Sequence, residues 1–243
     1  MDLNKTRSPL RYLLPIALVL SIALGYLIYR WFSTSGTRSA LVLSWLRNPD
    51  NHPEWTIAAG EQCGDAPFIL PTNGFVGYLW GDSFRPGHHH QGIDIFGSRE
   101  LNQTPVVAAY PGYLSRLPDW KATVIIRIPQ DPFQPDRQIW TYYTHMADSQ
   151  GNAYIASQFP PGTTEVYVDA GTLLGYQGNY SGDPFNPTGI HLHFSIVRDD
   201  GNGRFLNELE IENTLDPSPY LGLPLNARQN RAEVPQCSSI SQS

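Results

Sequence analysis

Apolar positions fall into two textures along this chain. Residues 12–29 read YLLPIALVLSIALGYLIY and carry no charged side chain. At about 1.5 Å per residue that run spans roughly 27 Å, close to a bilayer's hydrocarbon core. Tyr26, Tyr29 and Trp31 suit its far interface, and Pro15 lies near the start, where a helix tolerates it. From Phe68 the texture changes to short apolar runs parted by Gly, Pro, Asn and Asp, which is the signature of strands and turns. TPVVAAYPGYLSRL, KATVIIRIP, RQIWTYYTHM, TEVYVDAGTLLGYQG and IHLHFSIVRD read as strands. No long helical pattern separates them, so a mainly antiparallel β fold is predicted. Residues 146–165 and 178–189 read as loops. Residues 33–65 read as a connector with a short helix ending before Pro49, and residues 223–243 as a polar tail, mobile apart from Cys237.

Charge gives the apolar run an orientation. Lys5, Arg7 and Arg11 precede it, while Arg30 and Arg38 follow. This places residues 1–11 in the cytoplasm and the chain beyond the run outside. A cleaved signal peptide is the alternative. The run is longer than a signal core, however, and Arg30 and Trp31 stand where a small-residue cleavage site belongs. The expectation is a signal anchor over 12–32, a single-pass location in the cell membrane and the lipid bilayer as a partner. Five of the 16 basic side chains lie in the first 38 residues against one of the 22 acidic ones, leaving the remainder at about −10. So acidic a domain lacks the footprint for phosphate contacts, which excludes a nucleic-acid partner. The two cysteines are too few for a Cys-based structural zinc site. Outside the membrane thiols tend to pair, with two unpaired buried cysteines as the alternative. A bridge between Cys63 and Cys237 closes a long loop, worth up to roughly 5 kcal/mol in the chain-entropy model.

Histidine carries the candidate chemistry. Six of the 7 fall in three places: His88, His89 and His90; His145; and His191 with His193. His52, in the connector, reads as a surface residue. In a strand, His191 and His193 share one face and Leu192 and Phe194 the other. Two such imidazoles can share a metal, or serve as one ligand and one base. His90 and Asp94 also share a face, and imidazole nitrogen and carboxylate oxygen are standard zinc ligands. A slipped register would bring His88 or His89 to the place of His90. His145 closes an aromatic stretch. One Asp and two His make three protein ligands, and a catalytic zinc site keeps its fourth position for water. No His-Glu-x-x-His helix and no Gly-x-Ser-x-Gly elbow is present, which argues against those two hydrolase classes.

These residues resemble the lysostaphin/LytM-type zinc metallopeptidases, which cut peptide bonds in bacterial peptidoglycan. The resemblance rests on His90-Gln91-Gly92-Ile93-Asp94, on Tyr143-Thr144-His145-Met146, and on Gly189-Ile190-His191-Leu192-His193-Phe194, in that order, across residues 66–222. It implies an antiparallel β-sheet domain with one zinc per chain in a groove walled by loops. It also implies His90, Asp94 and His193 as zinc ligands, His145 and His191 as catalytic histidines, and a peptidoglycan stem peptide or cross-bridge as substrate. The triple histidine and a longer segment between Gly178 and His191 depart from the family pattern. Tyr142, Tyr143, Tyr176 and Tyr180 are candidates to line the groove, although sheet packing or surface exposure is the better expectation for at least two of them. The competing expectations are a non-catalytic zinc-binding module that regulates amidases, and a cupin-like barrel. The cupin pattern expects a glutamate where Asp94 stands.

Overall fold

The β-branched and aromatic runs form eleven strands in the computed structural model, which describes residues 10–83, 87–230 and 232–237. These are β1 (Thr56–Ile57), β2 (Gly74–Tyr78), β3 (Ile93–Phe96), β4 (Pro105–Val107), β5 (Gly112–Ser115), β6 (Val124–Ile128), β7 (Ile139–Thr144), β8 (Val166–Val168), β9 (Leu173–Tyr176), β10 (Leu192–Arg198) and β11 (Thr214–Leu215). The main sheet runs β1-β2-β3-β10-β7-β6-β5-β8, with β11 beside β10, and β4 pairs β9 separately. Every strand pairing is antiparallel, as the sequence predicts.

Period-2 alternation gives the sheet two faces. Ile93 and Ile95 of β3, Tyr143 of β7, and Leu192, Phe194 and Ile196 of β10 point into the main core with Val76, Leu114 and Ile126. The opposite face of the same strands carries Asp94, Thr144 and His193. The strands that build the site are thus anchored from behind by some of the most buried side chains of the molecule. Truncating any one of these to Ala in such a core costs about 2–5 kcal/mol.

Two expected strands are in fact split. TPVVAAYPGYLSRL bends at Pro111 between β4 and β5, and TEVYVDAGTLLGYQG turns at Gly171 between β8 and β9, so each contributes to both sheets. Gly171 takes φ +82°, a left-handed conformation that costs glycine little.

The N-terminal helix differs more from expectation. Helix α1 runs unbroken over Leu10–Arg47 and does not stop at residue 32. Its last turns pack Val42 and Trp45 against Phe75 and Phe96. Buried Arg38 donates to the carbonyl of Glu233, at 3.1 Å, and to that of Asn230. Among the described residues no helix is long and apolar enough to cross a membrane. The side chains at 10–15, 17 and 27–37, which include much of the expected span, lie outside the described residues. The bilayer span over 12–32, the bilayer as partner and the single-pass location are therefore not supported by the described residues.

The segment expected as a connector supplies β1 and core residues Ile57 and Cys63. Over its described part the tail packs on the domain. Leu223 and Leu225 are buried, and Asn226 donates to Asp216 at 2.6 Å. Cys237 is disulfide-bonded to Cys63, 174 residues away. A four-residue helix, α2 (Ser218–Leu221), leads into this tail.

Candidate metal centre

Strand β10 is the spine of the site. His193 faces Asp94 of β3 on one side and Thr144 of β7 on the other. His90 precedes β3 and is brought under it by a close approach at Gly92, where a Cβ would overlap the Phe194 carbonyl oxygen. Backbone bonds from His90 N to Asp82 O and from Gly81 N to His90 O, both 2.8 Å, hold the approach. His90, Asp94 and His193 are all buried. His90 Nε2 lies 3.1 Å from Asp94 Oδ1 and 3.0 Å from His193 Nδ1, and His193 Nδ1 lies 2.9 Å from Asp94 Oδ1. They are the His/Asp group in the described residues that could hold a metal ion.

Hydrogen-bond partners fix the tautomers. The Leu79 carbonyl, 3.0 Å from His90 Nδ1, can only accept, so that nitrogen carries the proton and Nε2 presents a lone pair. Glu208 Oε1, 2.8 Å from Nε2 of His193, does the same from the other side, so Nδ1 is the nitrogen open to a proton or a metal. With both of these nitrogens deprotonated, two lone pairs and a carboxylate oxygen converge about 3 Å apart, so the triangle calls for a cation among them, either a proton shared with Asp94 or a metal ion. Ligands at about 2.0–2.2 Å around a tetrahedral zinc stand roughly 3.3–3.6 Å apart. The observed triangle needs to open by only a few tenths of an ångström, and the donor set fits zinc. An imidazole whose second N–H is held by a carbonyl or carboxylate is also how histidine ligands are usually oriented.

The electrostatics agree. Burial alone would raise the Asp94 carboxyl, but His90 and His191 and the hydrogen bonds from His193 and His90 hold it well below the usual range. Burial would likewise lower His193, yet Glu208 and Asp94 push it up to about 10. This proton affinity marks the same focus of negative charge that attracts a metal, and the two cations compete for one lone pair.

His191 and His145 stand beside this triangle. His191 Nδ1 donates to Gly189 O at 2.7 Å, and its Nε2 lies 3.5 Å from Asp94 Oδ1. His145 Nδ1 donates to Tyr180 O at 2.6 Å. The two rings are 4.5 Å apart. Burial lowers both, His145 to about 3 with help from His191 and His193, so both are neutral near pH 7. His145 follows β7 at φ +72°, a strained conformation for a side chain of this size. Gly178 closes the turn around it, because a Cβ there would overlap the carbonyl oxygens of Ala147 and His145.

All five residues line one groove of about 440 Å³, with Thr123, Tyr142, Tyr180, Thr188, Glu208 and Leu209 among its walls. Tyr142 and Tyr180 of the four candidate tyrosines line it. Tyr143 is a core residue whose hydroxyl accepts from Ala109 N, and Tyr176 pairs Pro105 in the small sheet. His89 is exposed and His88 half-buried outside the groove, so His90 holds the inward position. His52 bonds Ser44 at 3.0 Å and stacks on Trp55. Sequence reasoning misses Glu208. No motif contains it, and the only signal is an acidic side chain in a turn-rich loop.

No protein-family model matches the chain, and no curated protein does. The fold is similar to the catalytic domain of the antimicrobial peptidase lysostaphin from Staphylococcus simulans, at 19% identity and a TM-score of 0.39, over 61% of this chain and 90% of that one. Against whole lysostaphin the values are the same, but the chain spans about half its length, 49%. A third likeness is to the catalytic domain, in an A109H mutant, of the prophage-encoded M23 protein EnpA from Enterococcus faecalis, at 21% identity and a TM-score of 0.36, over 61% of this chain and 95% of that one.

Proposed function

We propose that this protein is a zinc-dependent metalloendopeptidase that hydrolyses peptide bonds in peptidoglycan stem peptides or cross-bridges outside the cytoplasm. The observation that carries the reading is the convergence of His90 Nε2, Asp94 Oδ1 and His193 Nδ1 within 3.1 Å, each imidazole aimed by a partner on its far side. A bound zinc supplies Lewis-acid polarisation of the scissile carbonyl and brings the pKa of a coordinated water toward about 7.

The chain's own residues do the rest. His90, Asp94 and His193 hold the ion with a net site charge near +1. His145 and His191 each offer an unprotonated Nε2 to the groove. One takes the proton of the attacking water on Nε2, donates as the imidazolium to the oxyanion and passes the proton to the leaving amine; the other accepts a hydrogen bond from the water and orients it. Positioned groups of this kind contribute roughly 10²–10⁴-fold. The walls at Tyr142, Tyr180 and Leu209 bracket an extended peptide beside them. The disulfide between Cys63 and Cys237 supports an oxidising compartment, outside the cytoplasm. Peptidoglycan as substrate rests on the motif resemblance.

The test uses the purified full chain with purified peptidoglycan. Turbidity should fall and new amino groups appear, both should stop with a chelator, and both should return on adding zinc. A zinc-loaded protein that releases no amino groups from any wall preparation overturns the reading.

A further inference from the structure

Glu208 lies on the groove wall beside the proposed ligands, and neither histidine motif contains it. Its side chain is only 11% exposed. Burying a carboxylate costs several kcal/mol unless a partner offsets it, and the partner here is the Nε2–H of His193 at 2.8 Å. The other three histidines of the site direct their second nitrogen to backbone carbonyls, those of Leu79, Gly189 and Tyr180. His193 alone is held by a charge. The loop is built to deliver it. Leu206 N bonds Arg198 O at 3.0 Å, tying the loop's start to the end of β10, and Gln91 donates to Leu209 O at 2.8 Å, clasping the residue after Glu208. Gln91 is the second residue of the first motif, so the segment that carries His90 and Asp94 also fixes the loop that holds His193.

We infer that Glu208 is a positioning residue of the metal centre: it locks the His193 ring with Nε2 protonated and Nδ1 turned toward His90 and Asp94. In the other tautomer Nδ1 would carry the proton and could not ligate. A carboxylate partner also makes the ligating nitrogen a better donor than a carbonyl partner would. The inference rests on His193 being a ligand, as proposed above.

The experiment titrates zinc into full-length wild type, Glu208→Ala and Glu208→Gln against a competing chelator, and follows the His193 Nε2 proton by NMR in the zinc-loaded proteins. Removal of such an outer partner typically costs 10–100-fold in metal affinity. Glu208→Ala should weaken zinc binding by that factor and lose the slowly exchanging Nε2 proton. Glu208→Gln, which keeps an acceptor oxygen and loses the charge, should keep the proton and lose less affinity. Should Glu208→Ala not fold, Glu208→Gln decides, since a weakened affinity with the proton retained supports the inference and a wild-type affinity overturns it. Wild-type affinity in both variants overturns it while leaving the metal centre intact. A wild-type protein that takes up no zinc overturns the metal reading, and this inference with it.

Discussion

The proposed chemistry falls on five side chains, and each of the four histidines among them is oriented by an acceptor behind its ring. A His145→Ala variant tests the division between ligands and proton carriers. It should retain zinc by elemental analysis and lose roughly 10²–10⁴-fold in turnover; unchanged turnover removes His145 from the mechanism. The same variant has a signature in stability. An unfolded imidazole titrates near 6.5, whereas burial holds folded His145 at about 3. The unfolded chain therefore takes up the proton first. The contribution of His145 is complete above about pH 6.5 and is lost as pH falls toward about 3. Zinc-free wild type should lose more of its urea midpoint between pH 7 and pH 4.5 than zinc-free His145→Ala, and parallel slopes would count against the buried neutral ring. At this scale the ligand pattern is legible in the sequence, because alternation along a strand puts His191 and His193 on one face and the i, i+4 spacing does the same for His90 and Asp94. Glu208 is not legible. It lies 15 residues past His193, in a loop whose place is set by tertiary ties to Gln91 and Arg198.

Strand β10 converts a sequence interval into a site by lying between β3 and β7. The strand runs are legible from their β-branched and aromatic content, but the register that puts Asp94 across from His193 is a pairing of residues 99 apart, and no local pattern specifies it. Apolar residues run up to the break inside TPVVAAYPGYLSRL, where only Pro111-Gly112 marks it, and the break inside TEVYVDAGTLLGYQG falls at Asp169-Ala170-Gly171-Thr172, a turn signal between two apolar runs that periodicity alone does not weigh. Gly178 shows how tightly the elements close on the chemistry. Gly178→Ala should push the turn at His145 outward and destabilise the protein by about 1–3 kcal/mol, the usual cost of overpacking. Because the displaced carbonyl belongs to His145, turnover should fall more than zinc content. Thermal melts paired with metal analysis check this, and a variant with the wild-type melting temperature and turnover contradicts the packing.

The described segments on either side of the β domain are tied to it. Helix α1 docks Val42 and Trp45 on the sheet, Arg38 ties it to the tail, and the disulfide joins the tail to the entrance of the β region. The pairing of the two cysteines is legible from compartment and count, whereas the continuity of α1 into residues 38–47 is not. A polar stretch, STSGTRS, interrupts the apolar run, and only contact with Phe75 and Phe96 shows why the helix continues past it. Cys63→Ser should cost about 2–5 kcal/mol in unfolding free energy, as for other native bridges, read as an earlier denaturation midpoint. An unshifted midpoint would mean that the bridge constrains nothing.

Zinc content of the purified full chain addresses the central claim most directly, measured by elemental analysis for wild type beside Asp94→Ala and His193→Ala. One zinc per wild-type chain and close to none in either variant is the predicted result. A wild type that binds none after zinc loading, or variants that keep a full equivalent, would contradict it.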